Sequence, residues 1–212
     1  MNTEELFVMD SDNKIAKKSI EYNPGLYKIF DEVLVNAIDH CVKNADVSNI
    51  KIDIDKENNC ISVFNDGPGI PVLKKTIKDG KEDVDIYIPQ MIFGRLLTSS
   101  NYDDTKHRVT GGVNGLGSKL ANIFSTKFVV ETVDSNRNLY YHQVFENNMY
   151  TVNPPEIKKY TKKPYTKITF YPDLKKFKLN EFTDDLINLM KKRVYDIKAC
   201  VDKKVQIYFN NE

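Results

Sequence analysis

Residues Tyr27 to His40, reading YKIFDEVLVNAIDH, constrain this chain more than any other stretch. Leu26, Ile29, Phe30, Val33, Leu34, Ala37 and Cys41 recur at three- and four-residue steps, the spacing of a helix that buries one face. Pro24 and Gly25 stand just before it, where a turn leads the chain into a helix. Glu32, Asn36 and Asp39 fall at i, i+4 and i+7 and form a second, polar stripe roughly on the far side. Such a stripe is ordinarily a solvated helix face. Val35, apolar and set among these residues, points instead to a side that is also covered. The helix by itself leaves both readings open.

A chain of 212 residues can bury a full core, as one large domain or a domain with an appendage. Lys and Arg total 31 against 30 Asp and Glu, so a net charge of +1 gives no global reason to expect nucleic acid or a membrane as partner. Any such partner needs a local patch. KKYTKKP, residues 158–164, is one basic stretch with interleaved tyrosine, readable as a plain surface turn or as a nucleic-acid contact. Cys41, Cys60 and Cys200 are far apart and odd in number, which fits buried, reduced thiols of an intracellular protein rather than a disulfide framework. Three histidines, none paired at i, i+4, argue against zinc. No apolar run approaches the roughly 20 residues that span a bilayer, and MNTEELFVMD lacks the basic and apolar parts of a signal peptide, so a soluble, non-secreted protein without membrane contact is expected.

Before the helix, Leu6–Met9 and Ser19–Tyr22 read as short extended pieces. After it, IKIDI (50–54) and ISVF (61–64) alternate apolar and polar residues about a polar turn, the pattern of a hairpin with one buried face. NDGPGIPV (65–72) then ends the strand abruptly, and Gly67 and Gly69 let backbone come close to a neighbour. Residues 73–86 form an exposed loop or small hairpin, 89–97 a helix, 98–110 a polar unpatterned stretch, and 119–124 another helix. Residues 128–133, 139–145, 167–171 and 205–209 are strand-like, and Phe182, Leu186, Leu189, Met190, Val194, Ile197 and Val201 mark one more amphipathic helix. Hairpins with interspersed helices imply a mixed, mostly antiparallel sheet with helices on one face.

The glycine-rich GGVNGLG (111–117) opens into a helix, and a helix N-terminus with free N–H groups suits a phosphate. It is not a P-loop, because Ser118 separates Gly117 from Lys119 and no Ser or Thr follows the lysine. It is not a dinucleotide fingerprint either, since Gly112, Gly115 and Gly117 have the reverse spacing. Taken alone, the loop is a phosphate cradle or a structural turn.

The order of these features carries more than any one of them. A helix with Glu and Asn four apart, a strand ending in NDGPGI, then a glycine-rich lid before another helix resembles the GHKL ATPase superfamily of gyrase, the ninety-kilodalton heat-shock chaperone, MutL and histidine kinases. Within it, YKIFDEVLVNAIDH, NNCISVFNDGPGIPV, LLTSSNYDD, TGGVNGLGSKLANIFSTKF and ITFYPDLKKF resemble the ATPase region of eukaryotic-type type IIA DNA topoisomerases, from about Glu4 to Phe209. The resemblance implies the α+β Bergerat fold, a two-layer sandwich, over residues 1–212, with ATP and Mg²⁺ as ligands. Glu32 matches the general base that polarises water, Asn36 the Mg²⁺ ligand, and Asp39 a supporting residue behind them. Asn65 matches the position that reads adenine, with Asp66 beside it as a second candidate for the same task. Gly69, Ile70 and Pro71 would wall the adenine pocket, and Ser99, Ser100 and Asn101 match the segment on ribose and phosphates. Gly112, Val113, Asn114, Gly115, Leu116, Gly117, Ser118 and Lys119 match the lid, Lys119 adding a charge unless it is a solvated first-turn lysine.

The sequence departs from that family in three respects. Val113 stands where relatives commonly carry Arg and Leu116 where they carry Tyr; residues 73–86 run long; and neither the N-terminal strap nor the transducer domain is expected within these residues. The resemblance implies a homodimer that acts on DNA in the full-length enzyme, a monomeric fragment that turns ATP over slowly, and a nuclear setting, or a cytoplasmic one for a viral source. A chaperone or mismatch-repair ATPase, with the same pocket driving clamp closure, is the alternative the resemblance leaves.

Overall fold

Asn23 fixes where the central helix begins. Its side-chain oxygen accepts the Leu26 N–H at 3.1 Å, and Pro24 takes the first helical position, where no N–H is required. In the computed structural model, which describes residues 1–10, 12–79, 82–95 and 116–212, two paired strands precede this helix, β1 (Asn2–Met9) and β2 (Ile15–Tyr22). The helix α1 (Pro24–Lys43) buries the expected stripe, with Ile38 added to it. Next come β3 (Asn49–Asp55) and β4 (Cys60–Asp66), joined by a turn in which the Asp55 carboxylate accepts from the Asn58 backbone and amide at 2.9 and 2.7 Å. Asn59 closes that turn at φ 48°, a left-handed conformation that asparagine tolerates.

Residues 73–86 take the hairpin form: β5 (Lys74–Asp79) and β6 (Glu82–Tyr87) pair antiparallel in a small sheet of their own. The order continues through α2 (Ile88–Gly94), α3 (Gly117–Ile123), β7 (Ser125–Asp134), β8 (Leu139–Glu146), β9 (Thr151–Val152), β10 (Glu156–Lys159) and β11 (Tyr165–Pro172). A short 3₁₀ turn at Leu174–Phe177, α4 (Asp184–Lys198) and β12 (Gln206–Phe209) complete it.

The main sheet runs β10-β8-β7-β11-β4-β3-β12, with β9 on the edge of β8. Its described pairings are antiparallel except β12 against β3, so the mixed, mostly antiparallel sheet expected from the sequence is the one found. Alternation sorts its residues: Ile50, Ile52, Ile61, Val63, Val130, Ile168 and Phe170 are buried in one core with the inner faces of α1 and α4. Their neighbours lie on the other face, Lys51 exposed and Phe64, Tyr165 and Lys167 part-exposed. A smaller cluster of Val8, Ile20 and Leu189 seats the β1–β2 hairpin on α4, and Arg193 Nε donates to Asp31 Oδ1 at 2.7 Å to tie α4 to α1.

Two expectations change. The N-terminal strands are longer than their apolar pieces suggested, because β1 and β2 pair only with each other and need few buried side chains. The cysteines are free but not all buried: Cys41 lies on the inward stripe, Cys60 is half-buried and Cys200 is exposed just beyond α4.

Phe30 is fully buried where α1 meets the core. Phe30→Ala is expected to cost about 3–5 kcal/mol through lost burial and the cavity left behind, read as a lower urea midpoint with an unchanged transition slope.

Candidate functional site

One cleft of about 170 Å³ opens beside the polar stripe of α1. Val33, Asn36, Ala37 and His40 of α1 form one side; Val63 and Asn65 of β4 with Thr166 and Ile168 of β11 form the floor. Ile70, Ile92, Phe93 and Ser118 close it from the segment after β4, from α2 and from the first turn of α3. The walls are largely apolar with a few converging amide and hydroxyl groups, the composition of a small-molecule site. The period of α1 explains the mixture, because Val33 and Ala37 belong to the buried stripe while Asn36 and His40 stand at its border.

Glu32 lies one turn before Asn36 and makes a 2.8 Å ion pair with Lys28. Its carboxylate meets the start of α3. A Cβ built on Gly117 would lie 1.9 Å from Glu32 Oε2 and 2.5 Å from its Cδ, so only glycine lets α3 begin this close to α1. The stripe residue and the end of the glycine-rich segment, 85 positions apart in the chain, are therefore in direct contact.

The segment after β4 is clamped to β7. Gly67 has φ +102°, and a Cβ on Gly69 would lie 1.9 Å from the Val133 carbonyl oxygen. The Ile70 N–H donates to Thr132 Oγ1 at 2.9 Å, and that oxygen also contacts Thr166 Oγ1 at 2.9 Å. Two residues on, the Val72 N–H donates to Asp134 Oδ2 at 2.9 Å, an oxygen also held by Arg137. Burial works to raise the Asp134 carboxyl, but the Val72 N–H and the Arg137 guanidinium outweigh it and hold the group below its ordinary value. Its stabilising effect is thus present above the usual carboxylate range and is lost on acidification through the lower folded value.

Asn65 and Asp66 point to opposite faces of the sheet, as strand alternation requires. Asn65 is 4% exposed and reaches the cleft, its amide donating to the Asp66 carbonyl at 3.0 Å. The Asp66 carboxylate accepts from Ser48 N, Asn49 N and Asn49 Nδ2 at 2.7–2.8 Å on the far side, so of the two candidates only Asn65 is in the cleft. Pro71 is exposed and is not part of the wall that Ile70 makes. Asp39 is not among the lining residues; His40, one position later, takes that place.

Lys119 is neither solvated nor in the cleft. It is 1% exposed, and desolvation holds its ammonium below the ordinary range. Leu116 is half-buried as the residue that caps α3, and Ser118 lines the cleft. Ser99, Ser100, Asn101, Gly112, Val113, Asn114 and Gly115 lie outside the described residues.

His40, Ile92, Phe93 and Thr166 were missed by sequence reasoning. Thr166 left a signal, since it shares the inner face of its strand with Ile168 and Phe170, where a hydroxyl is out of place unless something polar meets it. Burial holds the His40 imidazole below its ordinary 6.5. Among the described residues its buried Nε2 meets no hydrogen-bond partner, and the Pro68 carbonyl only partly offsets the effect of burial on the ring.

The arrangement can take a flat, partly polar ligand against Asn65; Asn36 lines the cleft, while Glu32, one helical turn earlier, is not among its lining residues and sits against the start of α3. Residues 21–176 match the family model described as histidine kinase-, DNA gyrase B-, and HSP90-like ATPase. The chain is 48% identical over 212 residues to DNA topoisomerase 2 of Arabidopsis thaliana, covering all of this chain and 14% of the relative. It is likewise 48% identical over 203 residues to DNA topoisomerase 2 of Acanthamoeba polyphaga mimivirus, covering 96% of this chain and 15% of that one. Its fold superposes on the crystal structure of the ATPase region of Saccharomyces cerevisiae topoisomerase II with a TM-score of 0.91 at 45% identity, covering 100% of this chain and 55% of the yeast chain. The chain thus spans about one seventh of the curated relatives' length.

Gly69→Ala drives a methyl into a backbone carbonyl and should cost about 1–3 kcal/mol or more, measured by urea unfolding. Gly117→Ala meets the Glu32 carboxylate and also its Cβ, 2.9 Å away, so it should displace that side chain and lower the urea midpoint, though by less than Gly69→Ala, where the clash is with backbone. For His40, the unfolded chain takes up a proton as pH falls through about 6.5 while the folded ring stays neutral, so stability falls below that pH until the folded ring titrates too. Thermal midpoints between pH 7.5 and 5.5 should fall less in His40→Asn than in the parent chain.

Proposed function

Because the chain belongs to the histidine kinase-, DNA gyrase B- and HSP90-like ATPase family, we propose that it is the ATP-binding and ATP-hydrolysing part of a type IIA DNA topoisomerase. The observation that carries this reading is the convergence of three separated segments on one cleft: Asn36 from α1, Asn65 from β4 and Ser118 from α3. In it the adenine lies against Val63, Ile70 and Ile168, and the Asn65 amide reads its edge.

Asn36 is exposed at the cleft and offers one neutral oxygen, which fits Mg²⁺, an ion that takes water and phosphate oxygens for most of its octahedron. Asn36 would hold the ion, which when bound draws charge from the phosphates. Glu32 accepts a proton from the attacking water, and its pairing with Lys28 and its packing on Gly117 fix where that carboxylate sits. By the resemblance, backbone N–H groups of the glycine-rich segment would hold phosphates, and Ser99, Ser100 and Asn101, which lie outside the described residues, would contact ribose and phosphates. A polyanion at the start of α3 would offset the desolvation of Lys119, which follows Ser118 directly.

In the whole protein, ATP binding joins two such regions into a closed gate, and hydrolysis resets it while one DNA duplex passes through another. Among the described residues no helix is long and apolar enough to cross a membrane. A nuclear or a cytoplasmic viral setting both suit the proposal, since a plant and a giant-virus relative are equally identical to the chain.

In the full-length protein, Glu32→Ala should spare ATP binding and remove phosphate release, whereas Asn36→Ala should weaken binding only when Mg²⁺ is present. Calorimetry with an unhydrolysable ATP analogue, with and without Mg²⁺, separates the two, and equal losses in both variants would undo the role assignment. Failure of the full-length protein to relax supercoiled DNA with ATP would overturn the topoisomerase reading. The 212-residue chain should bind the analogue and hydrolyse ATP slowly; turnover matching the full-length protein would contradict that expectation.

A further inference from the structure

The face of the main sheet turned away from α1 carries a second, larger concavity of about 430 Å³, rimmed by Lys51, Phe64, Lys163, Pro164, Tyr165 and Tyr208. Register sets the row: Tyr208 lies opposite Lys51 across β12 and β3, and Lys51 opposite Phe64 across β3 and β4. The Lys51 Nζ stands 5.8 Å from the Tyr208 ring and 5.9 Å from the Phe64 ring, and Phe64 stacks on Tyr165 at 5.4 Å. The row continues past the concavity. Tyr165 and Tyr140 both donate to Glu131 Oε2, at 3.4 and 3.2 Å, and Tyr140 lies 5.9 Å from Tyr160 and under Lys158 Nζ at 4.7 Å. From β12 to β8 is five strand steps, so at roughly 4.8 Å per step the row spans about 24 Å.

Single half-exposed rings on a solvated sheet face need no explanation. A continuous row of rings interleaved with lysines does. Three acidic groups lie along it: Asp66 is held by three N–H donors, Glu131 by two phenols, and Glu156 pairs with Lys158 at 3.1 Å, so Lys51 and Lys163 at the concavity are the lysines placed to meet phosphate. The basic KKYTKKP segment supplies Lys158 over Tyr140 at one end and Lys163 and Pro164 on the rim at the other.

We propose that this face binds single-stranded nucleic acid, with bases stacked on the rings and phosphates beside the lysines. A duplex keeps its bases stacked on one another and could use only the lysines. A mononucleotide would fill the concavity and leave most of the 24 Å row unused. The proposal does not rest on the ATPase reading, because the row lies on the opposite face from the cleft.

The test is fluorescence anisotropy with a labelled oligothymidine of about 12 nucleotides, within the range of known single-strand sites, against a duplex of equal length, each with saturating ATP. The strand should bind more tightly than the duplex and be indifferent to ATP. Tyr208→Ala and Tyr165→Ala should each weaken it by about tenfold, in line with stacking on one ring, while Tyr208→Phe retains binding. Lys163→Glu, on the exposed rim, should weaken binding and reduce its salt dependence by about one phosphate contact while leaving the thermal midpoint unchanged. Equal affinity for strand and duplex, displacement by ATP, or undiminished binding in folded Tyr208→Ala and Lys163→Glu would each overturn the proposal.

Discussion

The packing of α1 between the sheet and α3 is the contact on which the rest of the molecule depends. Its inner stripe, from Leu26 to Cys41, is buried against β3, β4 and β11 in one continuous core. The same rotation that seats those residues brings Asn36 and His40 to the mouth of the cleft and Glu32 to the start of α3. A helix with 3.6 residues per turn cannot turn one of these faces without turning the other. Core packing therefore fixes the chemistry-bearing side chains to within the tolerance of a close-packed interior.

A second constraint is backbone approach. At Gly69 the chain touches the Val133 carbonyl, and at Gly117 it touches the Glu32 carboxylate; in both places any side chain would collide. The clamp on residues 69–72 uses neutral and charged acceptors in succession, Thr132 and then Asp134, each meeting an N–H that a loop would otherwise have to leave to water. This is why a segment without regular structure can serve as a rigid wall.

Much of this was legible beforehand, and the failures share a cause. Helical period identified α1 and its two stripes, strand alternation identified β3 and β4, and the order of motifs carried the family and its fold. Asp66 was grouped with Asn65 because they are adjacent in sequence, yet a strand sends adjacent residues to opposite faces, and the backbone of β3 captured the carboxylate. Lys119 was expected to be charged and reachable, but α3 begins so close to α1 that Ser118 and Lys119 are buried. His40 and Phe93 gave no local signal, since the wall they share is made by α1 and α2, which meet only in the folded molecule. The aromatic row is likewise invisible in one dimension: Tyr208, Lys51, Phe64 and Tyr165 are scattered over more than half the chain and adjoin only through strand pairing.

By itself, the sequence determined which residues must be buried and where the chain must bend, because hydrophobic period and the sterics of glycine and proline act over a few residues. It also determined the family, through the order of its motifs. The tertiary structure alone decided which polar side chains share a cavity, which carboxylate is already satisfied, and which face of the sheet stays open. Those outcomes depend on contacts between residues as far apart as Glu32 and Gly117, and local propensity carries no record of how distant segments come to lie side by side.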